Sequence, residues 1–363
     1  MAINLAEKYS SQIDEVITKA SLTQNSVNKD YDFVGAQTVK VYSFGTAQMN
    51  DYKTTGSNRY GTPEELEDNL QEMTMTRKRS FTFTIDKTHA ADSPEGVRDA
   101  AKALQRQIDM KVMPEIDAYR LCKMADKGGN KIYTTITKSN AYETFLSANA
   151  LISDKEMPTE GRIAHVSPEF YKLIKLDNGF IRACDISQEM LIKGQVGEVD
   201  GVAIIMTPSV RLPAGASFVI TNSIATTSPV KLAEYKIHED PPGLAGHLVE
   251  GLVYYDAFVL NNKKNAIAVC YGATSTIKAS MTAGASGKGT VTVTGITAGG
   301  TLVYKTGASQ TAASLGDNVS SWETLPANGL ISATSSHKLA VAVKDADGKA
   351  IATADVITVA VGG

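Results

Sequence analysis

The sequence predicts an α+β chain closed by a separate all-β unit, and three observations carry that expectation. A polar, glycine-bearing stretch of more than thirty residues lies between two strand-like runs, too long for a connection inside a compact core. A long amphipathic helix and then alternating helix and strand patterns follow it. At about Ala273 the composition breaks: arginine disappears and short period-two runs take over.

The 363 residues suffice for two or three domains with a sizeable core in the larger one. Apolar content of 43% and charged content of 21% are ordinary for a globular protein. The net charge of −3, from 36 basic and 39 acidic side chains, carries no basic excess of the kind that grips nucleic acid by sequence. The start, Met1-Ala2-Ile3-Asn4-Leu5-Ala6-Glu7-Lys8-Tyr9, lacks a secretory pattern, and no apolar run approaches the ~18 residues of a membrane span, so a cytosolic chain is expected. The three cysteines, Cys122, Cys184 and Cys270, sit apart in apolar settings and read as buried thiols.

In chain order, residues 1–32 place Leu5, Tyr9, Ile13, Val16 and Ile17 at helical spacing, which implies a thin arm with one apolar face. The run Val39-Lys40-Val41-Tyr42-Ser43-Phe44 and the alternating Arg79-Ser80-Phe81-Thr82-Phe83-Thr84-Ile85-Asp86 then read as the flanks of one extended hairpin over 33–86. A two-stranded arm is barely stable alone in water. Its apolar face, with Phe81, Phe83 and Ile85, is therefore expected to lie under another subunit. Asp92-Ser93-Pro94-Glu95 signals a helix start. Val97, Ala101, Leu104, Ile108 and Val112 mark a stripe that Ile116, Tyr119 and Cys122 continue past Pro114, which should kink the helix before Gly128-Gly129 ends it.

Residues 141–230 read as a mixed α/β domain, with Tyr142, Phe145, Leu146 and Leu151 on a helix and Ile163-Ala164-His165-Val166 on a buried strand. Strands return over 231–273, where the runs 252–260 and 266–271 look paired across the loop Asn261-Asn262-Lys263-Lys264-Asn265. The last stretch, 274–363, has two aromatics, Tyr304 and Trp322. Its short strands, such as Thr290-Val291-Thr292-Val293-Thr294, suggest an immunoglobulin-like sandwich that assembly could dispense with.

Catalytic chemistry is not legible. The five histidines, His89, His165, His238, His247 and His337, have no paired zinc spacing, and no nucleophile elbow occurs. Gly284-Ala285-Ser286-Gly287-Lys288-Gly289-Thr290 has the wrong glycine spacing for a phosphate loop and reads as a hairpin turn, as does Asp345-Ala346-Asp347-Gly348. No enzyme, cofactor or metal is expected. The acidic residues Glu64, Glu65, Glu67 and Asp68 read either as a solvated turn or as partners for Arg77, Lys78 and Arg79 across an interface.

The order of parts resembles the tailed-phage major capsid proteins of the Hong Kong 97-type fold. The runs Tyr31-Asp32-Phe33-Val34-Gly35, Thr38-Val39-Lys40-Val41-Tyr42-Ser43, Ser57-Asn58-Arg59-Tyr60-Gly61-Thr62-Pro63-Glu64-Glu65-Leu66, Ser80-Phe81-Thr82-Phe83-Thr84-Ile85-Asp86 and Pro114-Glu115-Ile116-Asp117-Ala118-Tyr119-Arg120 look like a subfamily from phages of Gram-positive bacteria. The resemblance implies an N-arm (1–32), an E-loop (33–86), a peripheral domain with spine helix (87–140), an axial domain (141–230) and returning strands (231–273), followed by an added immunoglobulin-like domain (274–363). It implies a structural protein that self-assembles into hexamers and pentamers, an icosahedral head shell enclosing double-stranded DNA without sequence preference. Assembly contacts would come from Val39, Val41, Tyr42, Arg59, Tyr60, Phe81, Phe83 and Ile85 of the E-loop and from Leu5, Tyr9 and Ile13 of the N-arm. A separate scaffolding protein, a portal and a maturation protease are the implied partners, with no membrane. The place is the virion capsid, assembled in the bacterial host cytoplasm. An encapsulin-like compartment around a protein cargo is the alternative on the same fold.

Overall fold

The computed structural model describes residues 21–362 apart from 29, 32, 34–36, 45, 48, 64, 66, 67, 88–99, 178–196, 244, 273–276, 286 and 296–298. Leu5, Tyr9 and Ile13, the helix start at 92–95, Cys184 and the composition break at Ala273 lie outside those residues.

Strand β1 (Thr38–Phe44) pairs antiparallel with β2 (Asp68–Thr74), placing Val39 opposite Met73 and Tyr42 opposite Leu70. The arm is therefore shorter than expected. β2 reads Asp-Asn-Leu-Gln-Glu-Met-Thr, with two large apolar residues among polar ones, so no alternation announces it. The next strand, β3 (Arg77–Asp86), leaves the arm for the body.

Helix α1 (Ala100–Gln107) runs through one widened turn, Ile108–Val112, into α2 (Met113–Lys127). In that turn the Met113 amide donates to the Ile108 carbonyl, five residues back. Pro114 brings no amide hydrogen and a bulky ring, and the helix absorbs both by widening the turn ahead of it rather than by kinking alone. The extra residue rotates the buried face by roughly 100°. Past Pro114 the buried line accordingly runs through Ile116, Arg120, Leu121 and Met124, while Tyr119 and Cys122 are half-buried.

The chain continues through β4 (Asn130–Tyr133), α3 (Ala141–Ser153), β5 (Arg162–Val166), α4 (Pro168–Leu176), β6 (Glu198–Val199), β7 (Val202–Met206) and β8 (Ala216–Asn222). Helix α4 starts where the sequence provides a cap: the Ser167 hydroxyl accepts from the Phe170 amide and Pro168 occupies the first turn. After β9 (Thr226–Thr227) come β10 (Val230–Glu239), β11 (Gly246–Tyr255), β12 (Phe258–Val259) and β13 (Ala268–Tyr271).

Two sheets organise these elements. The six-stranded one has the order β4-β13-β8-β5-β7-β6, and every residue of its central β8 is buried. Alternation along β8 sends Phe218 and Ile220 towards Phe145 and Ile152 of α3 and Phe170 of α4, and Val219 towards Leu121 and Met124 of α2. The other sheet has the order β10-β11-β3, with β11 paired to β3 over the whole span from Gly246 opposite Asp86 to Tyr255 opposite Arg77. Two expectations are corrected here. β11 and β13 belong to different sheets, so the runs 252–260 and 266–271 are not a hairpin. Phe81, Phe83 and Ile85 are not on the arm: they pack with Leu104, Ile108, Ile116 and Tyr235 of their own chain. Gly251 makes this possible, because a Cβ there would lie 2.4 Å from the Phe81 ring, which reaches over it to Tyr235.

The terminal unit contains β14 (Lys278–Ala283), β15 (Lys288–Thr294), β16 (Thr301–Gly307), β17 (Glu323–Thr324), β18 (Leu330–Ser332), β19 (Lys338–Lys344), β20 (Ala350–Thr353) and β21 (Ile357–Thr358). They form one sheet of order β14-β15-β18 and another of order β17-β16-β19-β20, with β21 also on β19. Both expected turns are hairpin turns: the Gly284 amide donates to the Lys288 carbonyl, and Asp345 accepts from the amides of Asp347 and Lys349.

Candidate assembly surface

The arm has an anchored inner face and a bare outer one. On the inner face Met73 is fully buried and Val39 and Val41 are half-buried against Tyr254, Phe258 and Leu260. Gln71 ties this face down at both ends of its amide, donating to the Val259 carbonyl at 2.9 Å and accepting from the Asn261 amide at 2.9 Å. On the outer face Lys40 and Glu72 form an ion pair at 2.8 Å, and beside them the paired Tyr42 and Leu70 stand 62% and 46% exposed. Exposed apolar side chains are ordinary singly, but these two lie opposite each other on a projecting ribbon.

The far end of the arm is a compact turn. Asn58 and Gly56 adopt positive φ, the Lys53 amide donates to the Arg59 carbonyl at 3.0 Å, and Tyr52 meets Tyr60 edge-on at 5.1 Å. Arg59 is exposed and Tyr60 is 85% exposed. Of the sequence-predicted contact residues, Tyr42, Arg59 and Tyr60 are thus presented outward, Val39 and Val41 face the body, and Phe81, Phe83 and Ile85 belong to the body's core.

A buried polar network straps residues 21–26 to the body. Asp117, inside the apolar line of α2 and fully buried, accepts from Ser21 Oγ at 2.6 Å, Thr23 Oγ1 at 2.7 Å, the Leu22 amide at 3.1 Å and Arg211 at 3.1 Å. Arg120, one turn on, donates to Thr23 Oγ1 at 3.1 Å and Ser228 Oγ at 2.8 Å. Burial draws the Arg120 guanidinium below its ordinary value. Farther along the same strap, Ser26 Oγ lies 2.7 Å from Nε2 of His165, whose Nδ1 is 3.2 Å from Thr207 Oγ1. Complete burial pulls the imidazole down to about 4, so it is neutral at physiological pH.

The base of β2 is held similarly. Asp256 accepts from the Thr76 amide at 2.9 Å and from Tyr119 OH at 2.7 Å. Burial and that hydrogen bond push the Tyr119 phenol upward. Arg77 lies over the Tyr119 ring at 4.5 Å and pairs with Glu115 at 3.1 Å, and Arg79 reaches the same carboxylate at 2.7 Å. Burial alone would raise the Glu115 carboxyl, but the hydrogen bonds from Arg79 and Arg77 outweigh it and hold it below its ordinary value. The basic run 77–79 therefore has its acidic partner within the chain, and Lys78 lies over Tyr254. Asp117 and Arg120 were not singled out from sequence. Their signal is two opposite charges three residues apart within an apolar helical line.

Among the described residues no group of three or more histidine, cysteine, aspartate or glutamate side chains is placed to hold a metal ion. No helix among them is long and apolar enough to cross a membrane.

No protein-family model matches the sequence, and no curated protein matches it. Solved structures do. A chain from Mycobacterium phage Che8 superposes with a TM-score of 0.54 at 18% identity, covering 69% of this chain and 90% of that one. The mature capsid of bacteriophage PhiM1 gives a TM-score of 0.54 at 10% identity, covering 70% and 87%. The capsid of Cyanophage P-SCSP1u gives 0.51 at 14% identity, covering 66% and 84%. What is shared is the fold: a mixed α+β architecture of the kind found in phage capsids.

Proposed function

We propose that this chain is a major capsid protein of a tailed phage, a structural and non-catalytic subunit that self-assembles into an icosahedral head shell around double-stranded DNA. The observation that carries the reading is the projecting arm, whose outer face shows Tyr42 and Leu70 to solvent while its base is locked to the body. A shell subunit must reach several neighbours through contacts weak enough for misplaced copies to leave. Each apolar side chain covered by a neighbour adds roughly 1.5–3 kcal/mol, an increment suited to that demand. Head-to-tail contacts that close by rotation form rings, here hexamers and pentamers, and rings tile a shell.

In this reading residues 1–32 are the N-arm, the E-loop is the β1–β2 ribbon with its turn, β3, β10, β11 and the spine helix are the peripheral domain, and α3, α4 and the six-stranded sheet form most of the axial domain. The terminal unit is the added immunoglobulin-like domain. Asp117 of α2 holds residues 21–23, and Tyr119 of the same helix donates to Asp256 at the base of β2, so in this reading the spine holds the roots of both arms while their far ends adapt to unlike neighbours. With −3 net charge the lumen would enclose DNA without gripping it. Scaffold, portal and protease would be separate partners, and assembly would take place in the host cytoplasm.

Sedimentation and negative-stain microscopy of the expressed chain, alone and with the scaffolding protein of its phage, test the reading. Rings or closed shells are expected. A species that stays monomeric in both conditions overturns it, and particles filled with a protein cargo instead of DNA would assign the same fold to a storage compartment.

A further inference from the structure

The terminal β unit meets the body across a surface closed more tightly than a tethered appendage requires. β4 is one of the two outer strands of the six-stranded sheet, and its Lys131 ammonium lies 2.7 Å from Asp347 and 3.5 Å from Asp345 of the β19–β20 turn. The side chains of Lys131 and Asp345 are only 8% and 1% exposed. Tyr133, also on β4, donates its hydroxyl to Asp345 and stacks on Tyr271 of β13 at 5.5 Å, and Lys349 sits 5.3 Å from the Tyr133 ring centroid. Backbone meets backbone beside this cluster. A Cβ on Gly215, just ahead of β8, would fall 1.9 Å from the Ile351 carbonyl oxygen of β20, and one on Gly316 would fall 2.9 Å from Tyr133 Cβ. A single buried apolar cluster runs from Leu121 and Tyr271 of the body to Val341 and Ile351 of the terminal unit.

We propose that the terminal β unit is a built-in cap on the face of the body's sheet that carries Lys131 and Tyr133 of β4, and that the two fold and unfold as one cooperative unit. Tyr133 stands on the sheet face that also carries Tyr271 and Val219, and Lys131, two residues away, shares it. A nearly buried ammonium is tolerated only with its carboxylate partners in place. Here that need is met by carboxylates more than two hundred positions downstream, as the separation of Lys131 from Asp347 shows. The cap is thus the partner that the surface of β4, Gly215 and Tyr271 fits, and the expectation that assembly could dispense with residues 274–363 gives way to a terminal unit the body requires. The proposal rests on the fold alone and not on the capsid reading, so the two can fail independently.

The chain provides its own reporters. Trp322 is the single tryptophan and lies in the terminal unit, whereas the helices α1–α4 lie in the body. Thermal unfolding of the full-length protein is followed in parallel by tryptophan fluorescence and by helical circular dichroism. The two curves are expected to superimpose, and Tyr133→Ala, a change in the body, is expected to lower both midpoints equally. Asp347→Ala, which removes only the exposed partner of Lys131, is expected to shift both together by less and serves if Tyr133→Ala does not fold. A tryptophan transition separate from the helical one, or a substitution on either side that moves one curve and leaves the other in place, overturns the proposal.

Discussion

His165 shows how one buried residue sets a pH response. Its imidazole is neutral in the fold because burial pulls it from 6.5 to about 4, against the opposing field of Asp117. As pH falls below 6.5 the unfolded chain takes up the proton first, so this group's contribution is intact above 6.5 and declines between 6.5 and 4, by up to ~3 kcal/mol. Urea titrations at neutral pH and near pH 4.5 should show that loss. A His165→Gln variant should be less stable at neutral pH but have a shallower slope in that window, and an unchanged slope would remove His165 from the account. Asp117 is the more damaging site. Asp117→Asn replaces an oxygen that accepts hydrogen bonds by an amide nitrogen that cannot, and it leaves Arg211 and Arg120 beside an uncharged group. A loss of about 3–5 kcal/mol in urea unfolding is expected, as for other broken buried pairs.

Among the elements, the capsid reading makes the β1–β2 ribbon separate stability from assembly by face. Met73→Ala, on the inner face, empties a fully buried site and should cost about 2–5 kcal/mol of subunit stability. Tyr42→Ser with Leu70→Ser, on the outer face, changes residues 62% and 46% exposed and should leave the subunit's unfolding within about 0.5 kcal/mol of wild type while particle yield collapses. Wild-type particle yield from that double variant would show that the outer face meets no neighbour. The α1–α2 helix carries a different lesson: Pro114 was legible as a disturbance, but its remedy, a widened turn that rotates the buried line onto Arg120 and Leu121, depends on what the helix packs against.

For the whole molecule, the capsid reading makes the arm's turn a reporter of assembly. Lys53 and Arg59 flank an exposed loop, so trypsin should cut there in the free subunit and be excluded once neighbours cover the ribbon. Equal cleavage of subunits and particles, read by mass spectrometry, would contradict that coverage. By itself the sequence determined what local periodicity can encode: the alternation of β3, the apolar stripe of α1, the turns at Gly284 and Asp345, and a β-rich terminal unit. Strand partners were decided only by the tertiary structure. β3 alternates equally well beside β1 or β11, and the choice fell to β11 because Gly251 admits the Phe81 ring and the α1–α2 helix covers the face so formed. β2 stayed hidden because its polar sequence is held by pairing and by Gln71 rather than by its own pattern. The anchoring network was equally silent, since Ser21 and Asp117, or Thr76 and Asp256, are separated by 96 and 180 positions and acquire meaning only where the fold removes them from water.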